Sequence, residues 1–149
     1  MIKTASKSVG FSTILLAVVA GLLGSCATMA PMMGGQKIDL SGTAEVPPVT
    51  TSATGNATVD IKSDRSVTAT VTVSGMTATA SHIHEAAAGA NGPVIVPFVK
   101  TGDNTFAAAE GAKLTEAQYE SYKAGKLYVN VHTAKNPGGE IRGQLKGNF

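Results

Sequence analysis

The chain is short of the residues that usually brace a small domain. Its 149 residues include one cysteine, no tryptophan and an aromatic content of 5%. One thiol excludes an internal disulfide, so the fold must rest on its core. With few large rings, that core has to be built from Val, Ile, Leu and Ala. An excess of one charge is lacking too. Twelve basic residues face ten acidic ones, and two of the basic ones, Lys3 and Lys7, lie in the first 25 positions, which hold no acid. The remainder is balanced, ten against ten. It carries no electrostatic footprint for nucleic acid. Long apolar runs are limited to residues 11–23, short of the roughly 20 residues that a helix needs to span a bilayer. Behind a basic start, this run has the length of a signal-peptide core.

The run closes on Leu23-Gly24-Ser25-Cys26: one aliphatic residue, two small ones and the single cysteine. This resembles the lipobox of bacterial lipoproteins. The resemblance implies removal of residues 1–25 and acylation of Cys26, which becomes the new N-terminus. In a Gram-negative host, Ala27 after the cysteine implies the outer membrane. The expected location is the cell envelope, with the membrane as partner through the lipid anchor. Residues 26–36 are small and uncharged and read as a flexible tether. Met29, Met32 and Met33 fall in it. Thioethers suit Cu(I), but the stretch reads first as a linker.

From residue 37 the pattern is all-β. Residues 55–62 alternate Ala57, Val59 and Ile61 with polar neighbours, and residues 67–74 alternate Val67, Ala69, Val71 and Val73 with threonine or serine. Each reads as a half-buried strand, and the turn at 63–65 makes them a hairpin. Residues 37–46 read as a strand stopped by Pro47-Pro48. Residues 94–100 read as an edge or bulged strand because Pro97 interrupts them. Residues 127–133 and 140–146 are the last two strands, joined by the turn Asn136-Pro137-Gly138-Gly139. One helix is expected over 114–125, with Thr115 as N-cap, Gln118 closing a capping box, Leu114 and Tyr119 as a staple, and Gly125 as stop. Short strands at regular spacing predict a sandwich or barrel.

The chain has three histidines, and two are one residue apart: His82-Ile83-His84. On a strand, side chains repeat with period two, so both imidazoles share a face, roughly 6–7 Å apart. Two such rings can converge on one ion. His132 sits near the end of another strand. Asn130 or Glu140 would then orient a ligand's second nitrogen. Glu140 and Arg142, two apart, read as a surface ion pair. Glu85 falls on the face away from the histidines.

Four stretches carry a family signature: residues 40–49, His82-Ile83-His84 with residues 89–94, residues 127–133, and residues 136–145. Together they resemble the CHRD domain, the module named from chordin and found also in bacterial secreted proteins. The resemblance covers about residues 37–147. It implies an extracytoplasmic β-sandwich and no particular reaction. The His-x-His strand with a distant third histidine is also similar to the copper site of Cu/Zn superoxide dismutase.

The expected protein is an all-β, Greek-key β-sandwich, immunoglobulin-like or Cu/Zn superoxide dismutase-like, with one short helix. It divides into a lipoprotein signal peptide (1–25), a tether (26–36) and a CHRD domain (37–149). The expected function is that of a non-enzymatic envelope lipoprotein holding copper or zinc through His82, His84 and His132. The alternatives are a structural or protein-interaction module without metal, and a dismutase-like metalloenzyme. A two-metal enzyme needs more histidines than the chain has.

Overall fold

Period-two patterning builds most of the fold. In Val67–Ser74 the four apolar residues are buried and the four polar ones between them are exposed. Each buried Val or Ile stabilises the fold by about 1.5–3 kcal/mol. The computed structural model describes residues 34–147. The apolar leader, Cys26, Met29, Met32 and Met33 lie outside the described residues. Eight strands follow in order: β1 Gln36–Ser41, β2 Thr54–Ile61, β3 Val67–Ser74, β4 Ala78–Glu85, β5 Val94–Gly102, β6 Thr105–Ala108, β7 Leu127–Thr133 and β8 Ile141–Gln144. One helix, α1, spans Glu116–Lys123. Among the described residues no helix is long and apolar enough to cross a membrane.

The strands form a closed antiparallel barrel in the order β1-β2-β3-β6-β5-β4-β7-β8. This corrects the expected two-layer sandwich. Alternation buries one face in either architecture and cannot separate them. The difference lies in the closing contact, where Ser41 of β1 pairs with Arg142 of β8. Gly143, next along β8, makes that approach possible, since a Cβ there would come within 2.6 Å of the Asp39 carbonyl oxygen. The interior is filled by small aliphatic residues such as Val59, Val71, Ile83, Val129 and Ile141, with Phe106 as the one buried phenylalanine among the described residues.

Closure also corrects the expected edge strand. In the closed order β5 is not an edge strand, but Pro97 pairs on one side only, since Val94, Val96 and Pro97 pair with β4 while the ladder to β6 begins at Phe98. Both ladders of β5 are also irregular: the β4–β5 register shifts between Ile83 and His84, and the β5–β6 register shifts between Lys100 and Gly102. The bulged half of the expectation agrees with this. α1 carries both bonds of the capping box, between Thr115 and Gln118, and Gly125 follows its end with φ +68°.

β1 is shorter than the run expected over 37–46, and it begins at Gln36, the last tether position. After Ser41 the chain leaves the ladder in a 3-10 turn, Gly42–Ala44. The Gly42 carbonyl accepts from both Glu45 N–H (3.1 Å) and Val49 N–H (2.8 Å). This turns the β1–β2 connection back over the outside of the barrel. There it meets the β4–β5 connection, where Asn91 Nδ2 donates to the Val46 carbonyl at 2.7 Å. The two connections cover the outer face of β7 and β8. Residues that alternation points outward are therefore buried: Tyr128 is 1% exposed, Asn130 1% and Arg142 2%.

Candidate metal centre

Strand register assembles the histidines. β4 pairs with β7 so that His82 lies opposite Asn130, His84 opposite Tyr128 and Ala80 opposite His132. Ser81 and Ile83, the alternating residues, point into the barrel and are fully buried. His82, His84 and His132 thus share the outer face. His132 is the diagonal neighbour of His82, a separation within reach of ring side chains.

The three rings form a closed triangle. Centroids lie 5.5 Å apart for His82–His84, 4.9 Å for His82–His132 and 5.6 Å for His84–His132. One ring nitrogen from each lies within 4.8 Å of those of the other two. His82 Nδ1 and His132 Nε2 lie 3.0 Å apart.

Backbone carbonyls set two of the tautomers. His84 Nδ1 is 3.0 Å from the Gly92 oxygen, and His132 Nδ1 is 3.0 Å from the Pro137 oxygen. A carbonyl only accepts, so each Nδ1 carries the proton and each Nε2 keeps its lone pair. Nε2 of His84 is buried and has no hydrogen-bond partner. Such a buried polar atom is costly and calls for a ligand or water. Burial depresses the basicity of all three rings. His82 is pushed down to about 4, by desolvation first and then by the neighbouring His132 and His84. His84 and His132 are lowered chiefly by desolvation, against the raising effect of their carbonyl partners. Neutral imidazoles are the form that binds a metal.

The residues expected to orient the rings do other work. Asn130 Nδ2 donates to the Gly138 carbonyl at 3.4 Å, while its buried Oδ1 has no partner. Glu140 accepts from Thr51 Oγ1 (2.7 Å), Thr133 Oγ1 (2.6 Å) and Asn136 Nδ2 (3.1 Å). These bonds hold its carboxyl below the usual carboxylate range. Its partners Thr133 and Asn136 belong to the segment whose Pro137 carbonyl meets His132. The expected surface pair of Glu140 and Arg142 is also corrected. Both are buried, and Arg142 binds Ala90 O (2.8 Å) and Asn91 Oδ1 (3.2 Å) instead. Glu85 accepts from Ser121 and ties α1 to the barrel.

Three residues of the site escaped the sequence reading. Tyr128 stacks on His84 with centroids 4.9 Å apart and planes 14° from parallel. Its position was legible, because Tyr128, Asn130 and His132 are two apart on one strand. Arg142 covers the Tyr128 ring, its guanidinium carbon 3.4 Å from the ring centre. Glu45 is 4% exposed, and burial pushes its carboxyl up to about 7 against the lowering charge of Arg142. Its Oε1 has no hydrogen-bond partner. It lies on the β1–β2 connection and is buried where that connection folds over the barrel, which local sequence does not reveal.

A closed antiparallel barrel with a cluster of three neutral imidazoles on its outer face, under two covering connections, defines a β-barrel domain with a potential metal centre. The family model described as CHRD domain matches residues 37–145, nearly all of the described barrel. The chain therefore belongs to the CHRD domain family. Searches of curated proteins and of solved structures returned no significant match.

Proposed function

We propose that this CHRD protein is a lipid-anchored protein of the cell envelope that holds one copper or zinc ion. His82 Nδ1, His84 Nε2 and His132 Nε2 would be the ligands, with a further position open. The observation that carries the reading is the buried, unpartnered Nε2 of His84, facing two other imidazoles whose nitrogens lie within 4.8 Å of one another. An ion bound at roughly 2.0–2.1 Å from each nitrogen needs those nitrogens about 3–4 Å apart. One pair already stands at 3.0 Å. Imidazole suits both metals, and Cu(II) precedes zinc in general affinity. The anchor rests on Cys26 and the segment before it.

The strand order supports a Greek-key reading of the barrel, since the β3–β4 and β6–β7 connections each pass over two strands. Three histidines serve one ion and not two, which weighs against a dismutase-like enzyme. The protein is read as a binding protein, with a protein partner as a further expectation. A second reading has its own support. His84 and His132 each fasten a connection through a carbonyl, which suits a structural module without metal.

Titration of the full chain in detergent with Cu(II) and with Zn(II) separates the two. The metal reading expects one equivalent of ion and a raised melting temperature, both lost in His84→Ala. No stoichiometric uptake and unchanged melting on addition of either ion would leave the structural module.

A further inference from the structure

Arg142 is the one fully buried cation among the described residues, and no carboxylate there is in salt-bridge contact with it. The groups it touches are neutral: the Tyr128 ring at 3.4 Å, the Ala90 carbonyl at 2.8 Å, Asn91 Oδ1 at 3.2 Å and Gln144 Oε1 at 3.4 Å, while its charge also lowers the Glu45 carboxyl from beyond hydrogen-bond distance. Gln144, the next outward residue of β8, donates to the carbonyls of Ala86 (3.0 Å) and Gly125 (2.9 Å). Two neighbouring side chains of β8 thus grip the β4–β5 connection at Ala86, Ala90 and Asn91.

The residue after Asn91 is the one that touches the imidazole. Gly92 donates its N–H to Tyr128 Oη at 3.2 Å, and its carbonyl meets His84 Nδ1 at 3.0 Å. A side chain at Gly92 would overlap the Glu85 carbonyl, so the peptide is fixed by close packing as well. His84 and Arg142 both pack on the Tyr128 ring, and the held connection closes the group through Gly92.

We infer that Arg142 is a positioning residue for His84. Its guanidinium fork fixes the β4–β5 connection so that the Gly92 carbonyl keeps His84 in the Nδ1–H tautomer, with Nε2 directed at His82 and His132. A planar fork that spans two acceptors while stacking on a ring is a task that lysine does not reproduce. The consequence for metal affinity rests on the reading proposed above; the consequence for the tautomer does not.

Charge and geometry act in opposite directions here. A fixed cation near His84 disfavours a second positive charge, and it lowers the basicity of that ring. By charge alone, removing it would strengthen metal binding. By geometry, removing it weakens binding, because His84 loses its orienting carbonyl. Arg142→Lys keeps the charge and loses the fork, so it isolates geometry.

The test uses the full chain in detergent, as Arg142→Lys, Arg142→Met and Asn91→Ala. Side-chain 15N spectra of the metal-free protein report each imidazole tautomer. His132 is the internal control, since its carbonyl partner, Pro137, lies in another connection. In both Arg142 variants, His84 is expected to pass to a mixture of tautomers while His132 stays Nδ1–H. Cu(II) affinity should fall about 10–100-fold in Arg142→Lys, the usual cost of losing a ligand's outer partner. Asn91→Ala removes an exposed side chain and covers the case in which the buried variants do not fold. Its His84 signals should move the same way by a smaller amount. A His84 ring that stays Nδ1–H in Asn91→Ala and in every folded Arg142 variant overturns the inference. So does an equal change at His132, which marks general loosening. A parent protein that takes up no copper while its variants show the selective tautomer change refutes the metal reading and supports the positioning.

Discussion

Nδ1 of His82 lies 3.0 Å from Nε2 of His132, although the residues are fifty apart in the chain. The Pro137 carbonyl already claims the proton on His132 Nδ1. His132 Nε2 must therefore accept, and His82 Nδ1 donates. For His82 to ligate through Nδ1, the proton moves to Nε2 of this half-buried ring. The rings stay neutral through this change, so the switch costs little in a buried setting.

This arrangement predicts the pH range of the site. Free imidazole competes with protons near pH 6.5, whereas His82 is depressed to about 4 and its two neighbours are lowered as well. Cu(II) affinity of the parent should stay nearly level from pH 8 to about 6 and fall below that. His132→Ala should lose more than the about 10–100-fold that an outer partner costs. Isothermal titration across pH checks both. A steep fall already between pH 7 and 6, where ordinary imidazoles take up protons, would contradict the depressed basicity.

Much of this site could be read from the residues. His82 and His84 share a face because strands repeat every two residues, and the run at 127–133 was visible as a strand. That His132 reaches them depends on the β4–β7 pairing, a long-range choice that alternation does not encode. The same limit explains the sandwich that proved to be a barrel, since one contact between Ser41 and Arg142 closes it. Glu140 and Arg142 look like surface charges in the sequence. They are buried because the β1–β2 and β4–β5 connections fold over an outward face, and nothing in residues 140–142 signals that cover. Local chemistry was more legible: the capping box of α1 appears at the residues that specify it.

The anchor is tested at Cys26. The thiol is the group expected to accept a diacylglycerol, and a serine hydroxyl is a far weaker nucleophile at neutral pH. Cys26→Ser expressed in a Gram-negative host should retain residues 1–25 and lack the mass of acyl chains. Mass spectrometry of the intact protein reads both at once. A parent protein cut elsewhere, with an unmodified Cys26, would remove the lipoprotein reading.

Glu140 should matter for stability more than its carboxylate charge suggests from sequence. It accepts three side-chain hydrogen bonds, and these hold its basicity below the ordinary value. A depressed carboxylate stabilises the fold above its unfolded pKa of about 4.5, and the contribution is lost as pH falls through the folded value. Glu140→Gln replaces one acceptor with a donor that faces other donors. It should cost about 1–3 kcal/mol at pH 7, read by urea unfolding, with the gap to the parent closing towards pH 3. An equal gap at both ends would mean that packing, and not the hydrogen bonds to the carboxylate, sets the cost.

Glu45 should show the opposite sign. Burial raises it from 4.5 to about 7, and Arg142 offsets only part of that. The folded state thus holds a proton that the unfolded chain has already released. This contribution to stability is complete below about pH 4.5 and is lost as pH rises towards 7. Glu45→Gln keeps the size and polarity of the side chain and removes the titration. It should gain about 3 kcal/mol over the parent at pH 8, the order of free energy of a rise of that size, and little at pH 5. The histidines pull the other way, since their depressed basicity destabilises the fold as pH falls below 6.5. They are common to both proteins, so they cancel in the difference between variant and parent. Paired urea melts at pH 5 and pH 8 measure that difference. A gain of the same size at both pH values would show that Glu45 is not the group that titrates.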